Sequence, residues 1–105
     1  MTKKRRNQPG IGYNAILIAS QDLVSANLEE EAVILNLKDG VYYGLNPVGA
    51  RIWQLLQGPR MVKEILDIIL SEYEVEARRG EHDLMELLQE LLSKGLIEVK
   101  DDYAG

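Results

Sequence analysis

Apolar residues recur with a period of two in the first half of the chain and with a period near 3.6 in the second half. Ala15 to Ala19 (Ala-Ile-Leu-Ile-Ala) reads as a short first strand. In Leu23 to Leu28, Val24, Ala26 and Leu28 alternate with Ser25 and Asn27, a stretch that extends the first strand or pairs with it. Glu31 to Leu37 is rich in β-branched residues, Lys38-Asp39-Gly40 follows, and Val41 to Leu45 resumes the strand pattern. Asp-Gly between two such runs is a hairpin signal, because both residues tolerate the positive φ that tight turns demand.

Helical grammar begins at Asn46. Its side chain can cap a first turn, and Pro47 stands where a helix needs no N–H. Val48, Ile52, Leu55 and Leu56 follow at helical spacing, with Trp53 as a core candidate, until Gly58-Pro59 ends the run. A second helix is predicted over about Met61 to Tyr73, its stripe of Val62, Ile65, Leu66, Ile69 and Tyr73 widened by Ile68 and Leu70. That excess of apolar residues implies a well-buried helix. Glu74 to Gly80 reads as a charged connector. A third helix is predicted over about Glu81 to Lys94, with Leu84, Met85, Leu87, Leu88, Leu91 and Leu92 apolar and Gly95 as its stop. Leu96 to Val99 can form a last short strand. Strands followed by helices read as α+β, here a three-stranded antiparallel sheet followed by three helices in the outline of a winged helix-turn-helix. The predicted organisation is a flexible basic arm over residues 1–13, one domain over 14–100 and a polar tail over 101–105.

Charge narrows the function. The 105 residues carry 12 Lys+Arg against 17 Asp+Glu, a net of -5. Without Lys3, Lys4, Arg5 and Arg6, 8 basic residues face 17 acidic ones. Such a body repels phosphate backbones, so nucleic acid is not an expected partner. The third helix, with Glu81, Asp83, Glu86 and Glu90 against Lys94, makes a DNA-binding winged helix the weaker alternative. There is no cysteine, hence no disulfide scaffold and no thiolate site. No apolar run is long enough for a membrane span and no signal-peptide core follows the basic start, so a cytoplasmic location is expected.

Catalytic chemistry is not legible. His82 is the one histidine, with no second histidine at i+4 and only Glu86 there, an ordinary surface pair; the serines lack a His/Asp arrangement, and the glycines match no phosphate loop. The expectation is no enzyme, no metal and no cofactor. What remains is a binding surface. Alternation puts Val41, Tyr43 and Leu45 on one face of their strand and Tyr42 and Gly44 on the other. That strand has neither a charge nor a proline to guard its edge. Either the third helix or the final segment covers the edge, or it stays open for a guest strand. A broad apolar helix beside an open strand would form a groove.

The segment Gly40-Val-Tyr-Tyr-Gly-Leu-Asn-Pro-Val-Gly-Ala-Arg-Ile-Trp53, with Leu55-Leu56, Glu64-Ile65, Tyr73 and Leu88 to Leu92 before Lys94-Gly-Leu-Ile97, resembles the PqqD-like family over roughly residues 15–100. These are RiPP recognition elements, winged-helix domains that bind leader peptides of ribosomally made natural products. The hairpin segment and the chain length resemble leader-binding proteins of lasso-peptide pathways more than the pyrroloquinoline-quinone protein, with a pyrroloquinoline-quinone-type peptide chaperone for a radical SAM enzyme as the alternative.

The resemblance implies that a leader adds antiparallel to Val41–Leu45 and drops apolar side chains between that strand and the third helix. By position it assigns Val41, Tyr42, Tyr43 and Leu45 on the strand, and Leu84, Met85, Leu88 and Leu92 on the helix. Asp83 and Glu86 would read basic groups on the leader. A leader peptidase, a cyclase or a radical SAM enzyme would be the further partner, and the protein would be a monomer or a dimer.

Overall fold

Residues 11–100 are described by the structure, a computed structural model. The strands β1 (Ile16–Ala19), β2 (Leu23–Leu28), β3 (Glu31–Asn36) and β4 (Tyr42–Leu45) precede α1 (Pro47–Leu55), the two-residue β5 (Arg60–Met61), α2 (Val62–Glu72), α3 (Ala77–Ser93) and β6 (Ile97–Lys100). This is the expected α+β order, and its three helices with flanking strands are compatible with a winged helix-turn-helix outline. The basic arm, as far as residue 10, and the tail over 101–105 lie outside the described residues. Ile11 is already buried, and the Tyr13 hydroxyl donates to the Glu81 carboxylate.

Two antiparallel sheets form. One has the order β5-β1-β6, the other β2-β3-β4. The three-stranded sheet is therefore built from Leu23 onward. β1 does not pair with β2, as the sequence had left open, but with β6, Ile16 facing Lys100 and Ala19 facing Ile97. The reason is burial. Leu17 and Ile97 have almost no exposed surface, whereas every residue of β2 after Leu23 is exposed. The β3–β4 hairpin closes where Asn36 N–H donates to the Val41 carbonyl at 3.0 Å. Gly40, at φ 72°, completes its loop in the left-handed region that the Asp-Gly pair anticipates.

The helix ends follow the sequence. Asn46 Oδ1 accepts the Gly49 N–H at 2.8 Å, capping α1 behind Pro47. At the far end of α3, Leu96 N–H donates to the Leu91 carbonyl at 2.9 Å and Gly95 N–H to the Leu92 carbonyl at 3.0 Å, the bond pair of a Schellman stop. The start of α3 departs from expectation. The helix begins at Ala77, so four of the seven residues of the predicted connector are helical. Gly80 lies within its first turns, buried at the crossing with α2. A Cβ there would stand 2.9 Å from Leu70 Cδ2 and 3.3 Å from Val75 Cγ1. The glycine is thus a contact point and not a break, and it accounts for Leu70: that side chain covers α3. Ile68 likewise packs against the core.

α1 packs on the inner face of β2-β3-β4, where Ala32, Ile34 and Leu45 are buried, α3 lies against β6, and α2 packs on both other helices and on β5, all joined with Leu17 and Ile97 in one core. Leu56, Val62, Ile65, Leu88 and Leu96 complete the interior with no exposed surface. Each such side chain contributes about 1.5–3 kcal/mol by leaving water. Trp53 is buried too, and its indole N–H has no hydrogen-bond partner among the described residues.

Outside the core, Arg51 on α1 clasps Glu72 at the end of α2 through Nε–Oε1 at 2.9 Å and Nη2–Oε2 at 2.8 Å. Those hydrogen bonds hold the Glu72 carboxyl below the usual carboxylate range. A lowered folded-state pKa means that the stabilisation is complete above the ordinary range and is lost as pH falls through the folded value. The pair is partly exposed, so its effect is small. The melting-temperature gap between wild type and Glu72→Gln should be present at neutral pH and close as pH drops below the carboxylate range.

Candidate functional site: an open strand edge beside a helix

β4 has a single neighbour. Its register with β3 runs from Leu35↔Tyr42 to Ala32↔Leu45, and no described residue pairs with its other edge. The Asn36-to-Val41 bond fixes the phase of the ladder, because hydrogen-bonded and non-hydrogen-bonded pairs alternate along antiparallel strands. Tyr43 and Leu45 therefore spend their backbone groups on β3. Tyr42 and Gly44 turn theirs outward. Tyr42 is 68% exposed. The edge has none of the usual guards, neither charge nor proline.

Side-chain parity completes the picture. Tyr43 and Leu45 face the helices, with Leu45 buried and Tyr43 packed at the margin of the core. Tyr42 and Gly44 belong to the outer face, in cross-strand lines with Leu35 and Val24 and with Val33 and Ala26. That outer face is largely apolar, and Val24 and Leu28 are half exposed on it.

Between the β4 edge and one flank of α3 lie two adjoining hollows of about 360 Å³ and 280 Å³ that share Gly44, Leu45 and Leu87. The larger is floored by Ile52, Ile69 and Leu84 and reaches Tyr73 and Gly80. The smaller lies under Tyr43, Leu91 and Lys94. On α3 the residues toward β4 are Asp83, Leu87, Glu90 and Lys94, which recur at helical spacing. Leu84, Leu88 and Leu91 form the buried line beside them. Met85 and Leu92 fall on the opposite flank.

The structure therefore brings Tyr42, Tyr43, Leu45, Asp83 and Leu84 of the expected site together around the groove. Val41 stands at the hairpin mouth, its N–H donating to Asp39 Oδ1 at 2.9 Å. Glu86 is exposed away from the hollows, and Leu88 has no surface left for a visitor. Sequence reasoning passed over Gly44, Leu87, Glu90 and Lys94 as groove residues. For Leu87, Glu90 and Lys94 the available signal was their spacing from Asp83 along α3, and for Gly44 its place in β4 between Tyr43 and Leu45.

Polar features are few. Lys94 Nζ sits 5.8 Å from the centroid of the Tyr43 ring and 3.5 Å from a Glu90 carboxylate oxygen. Asp83 accepts from Arg79 Nε at 3.3 Å. His82, Asp83 and Glu86 each offer a ligand atom within 4.8 Å of the others, all exposed, a spacing that neighbours one helical turn apart produce unaided. No helix among the described residues is long and apolar enough to cross a membrane.

A family model described as "Coenzyme PQQ synthesis protein D (PqqD)" matches residues 31–97, which run from β3 to the start of β6 and include every strand and helix that lines the groove. Among solved structures, TbiB1 in complex with the TbiA(beta) leader peptide is 41% identical. The match covers 84% of this chain and 99% of that one, with a TM-score of 0.72. A lasso peptide synthetase B1 complexed with the leader peptide is 27% identical over 78% of this chain and 96% of that one, with a TM-score of 0.69. No curated protein matches the chain.

Proposed function

The chain belongs to the PqqD family, and on that premise we propose that it is a non-catalytic recognition protein. It binds the leader segment of a ribosomally synthesised precursor, of the lasso-peptide kind, and presents it to processing enzymes. The observation that carries this reading is the unpaired β4 edge, with the backbone groups of Tyr42 and Gly44 aimed at solvent beside an apolar groove. An extended peptide satisfies those groups by becoming the next antiparallel strand, and every second side chain of it enters the groove. Backbone bonds give affinity without regard to sequence, at about 0.5–1.5 kcal/mol each. The hollows supply the selectivity. Likeness to the lasso peptide synthetase B1, at 27% identity over most of both chains, favours a lasso-type precursor over a pyrroloquinoline-quinone precursor.

Titration with the TbiA(beta) leader peptide tests the proposal. Saturable binding is expected, with a dissociation constant of roughly micromolar or tighter. Amide exchange should slow at Tyr42 and Gly44, whose N–H groups pair with no strand among the described residues. Absence of binding, or binding that leaves both amides exchanging as before, would refute strand addition at this edge.

A further inference from the structure

We propose that Lys94 is a specificity-determining residue of the groove, whose ammonium takes a carboxylate carried by the bound strand at the position facing Tyr43. The inference rests on the strand-addition reading and adds to it the charge that the guest must carry.

Lys94 is the one basic side chain among the residues lining the two hollows. It leaves the C-terminal end of α3 and reaches across the smaller hollow to lie over the Tyr43 ring. At the far end of the groove Asp83 lines the larger hollow, beside Leu45 and Asn46. Asp83 is thus the charged group of the larger hollow, the smaller holds Lys94 with Glu90 beside it, and the axis between the two hollows runs along β4. An antiparallel guest passes first the Leu45 end and then the Tyr43 end. Directly opposed residues on neighbouring strands share a face. Guest residues opposite Leu45 and Tyr43 therefore point into the groove, two positions apart, and the later one meets Lys94.

The existing partners of Lys94 leave it able to respond. Glu90 lies 3.5 Å away with a 60% exposed side chain, a loose surface pair of little net worth. The Tyr43 ring attracts the cation through its π face without accepting a conventional hydrogen bond. An ammonium has three donors, so a guest carboxylate adds to this arrangement and need not displace it. A bound strand would shield the contact from water and strengthen it. A guest lysine or arginine at the same position would meet like charge instead.

The test uses the full chain and a set of TbiA(beta) leader peptides in which each position in turn is Glu, Gln or Lys, titrated by fluorescence anisotropy. With wild type, one position should favour Glu over Lys by about tenfold, or about 1.4 kcal/mol. Lys94→Met keeps the aliphatic stem and should flatten that preference. Lys94→Glu should reverse it at the same position. Melting curves check that both variants are folded, as expected for a residue exposed at the end of a helix. If wild type binds the set but all three proteins share one charge preference, or none, the role of Lys94 is overturned and leader binding stands. If wild type binds no member of the set, leader binding falls and the role of Lys94 falls with it.

Discussion

Gly44→Pro should weaken binding of the TbiA(beta) leader peptide by about a hundredfold or more, equivalent to roughly 2.7 kcal/mol, while the domain stays folded. The expectation follows from the phase of the ladder. The Gly44 N–H points away from β3, so a proline there removes no intramolecular strand bond. It does remove a donor that the guest needs and sets a ring in its path. Tyr43→Pro is the informative contrast. The Tyr43 N–H belongs to the β3–β4 pairing, so that variant should lose stability together with binding. Isothermal titration beside thermal melts separates the two. Intact affinity in a folded Gly44→Pro protein would mean that the peptide does not lie along β4.

The second large effect concerns two adjacent leucines. Leu88 has no exposed surface and Leu87 borders both hollows. Leu88→Ala should cost about 2–5 kcal/mol of folding stability, the usual range for emptying a buried leucine site. That is a large fraction of the roughly 5–15 kcal/mol that holds a domain together. Leu87→Ala should leave the denaturation midpoint nearly unchanged and reduce leader affinity instead, because its side chain is only partly covered until a guest arrives. Chemical denaturation and titration of both variants form a two-by-two comparison. Equal losses of stability would show that α3 is rotated relative to the groove described here.

These leucines also mark how far the sequence could be read. The apolar set of α3 was evident from spacing, and so were the hairpin, the Asn46 cap and the Gly95 stop, because each is a local rule that few residues satisfy. Which flank of α3 faces β4 was not evident. The apolar set from Leu84 to Leu92 spreads over about 160° of the helix circumference, and only tertiary packing decides that Leu87 borders the groove while Leu88 lies beneath it. The same ambiguity placed Met85, Glu86 and Leu92 in the site by position, although they fall outside its lining. Gly80 misled for a related reason. In isolation a glycine after a run of charges reads as a break, and only the proximity of Leu70 reveals it as a crossing point. The pairing of β1 with β6 was hidden as well, since it joins the two ends of the folded region and no local pattern encodes so distant a partner.

The outer face of the β2-β3-β4 sheet gives strand addition a second consequence. Tyr42 and Gly44 continue the lines of Leu35 and Val33 to the very margin of that face. A leader laid beside them would divide its residues by parity. One half of them disappears into the groove, where this protein inspects them. The other half stays on display, flush with Val33 and Leu35, as a message addressed to whichever molecule arrives next. Changes of sequence at the concealed positions would then alter retention of the leader, and changes at the displayed positions would alter only what is announced to the outside.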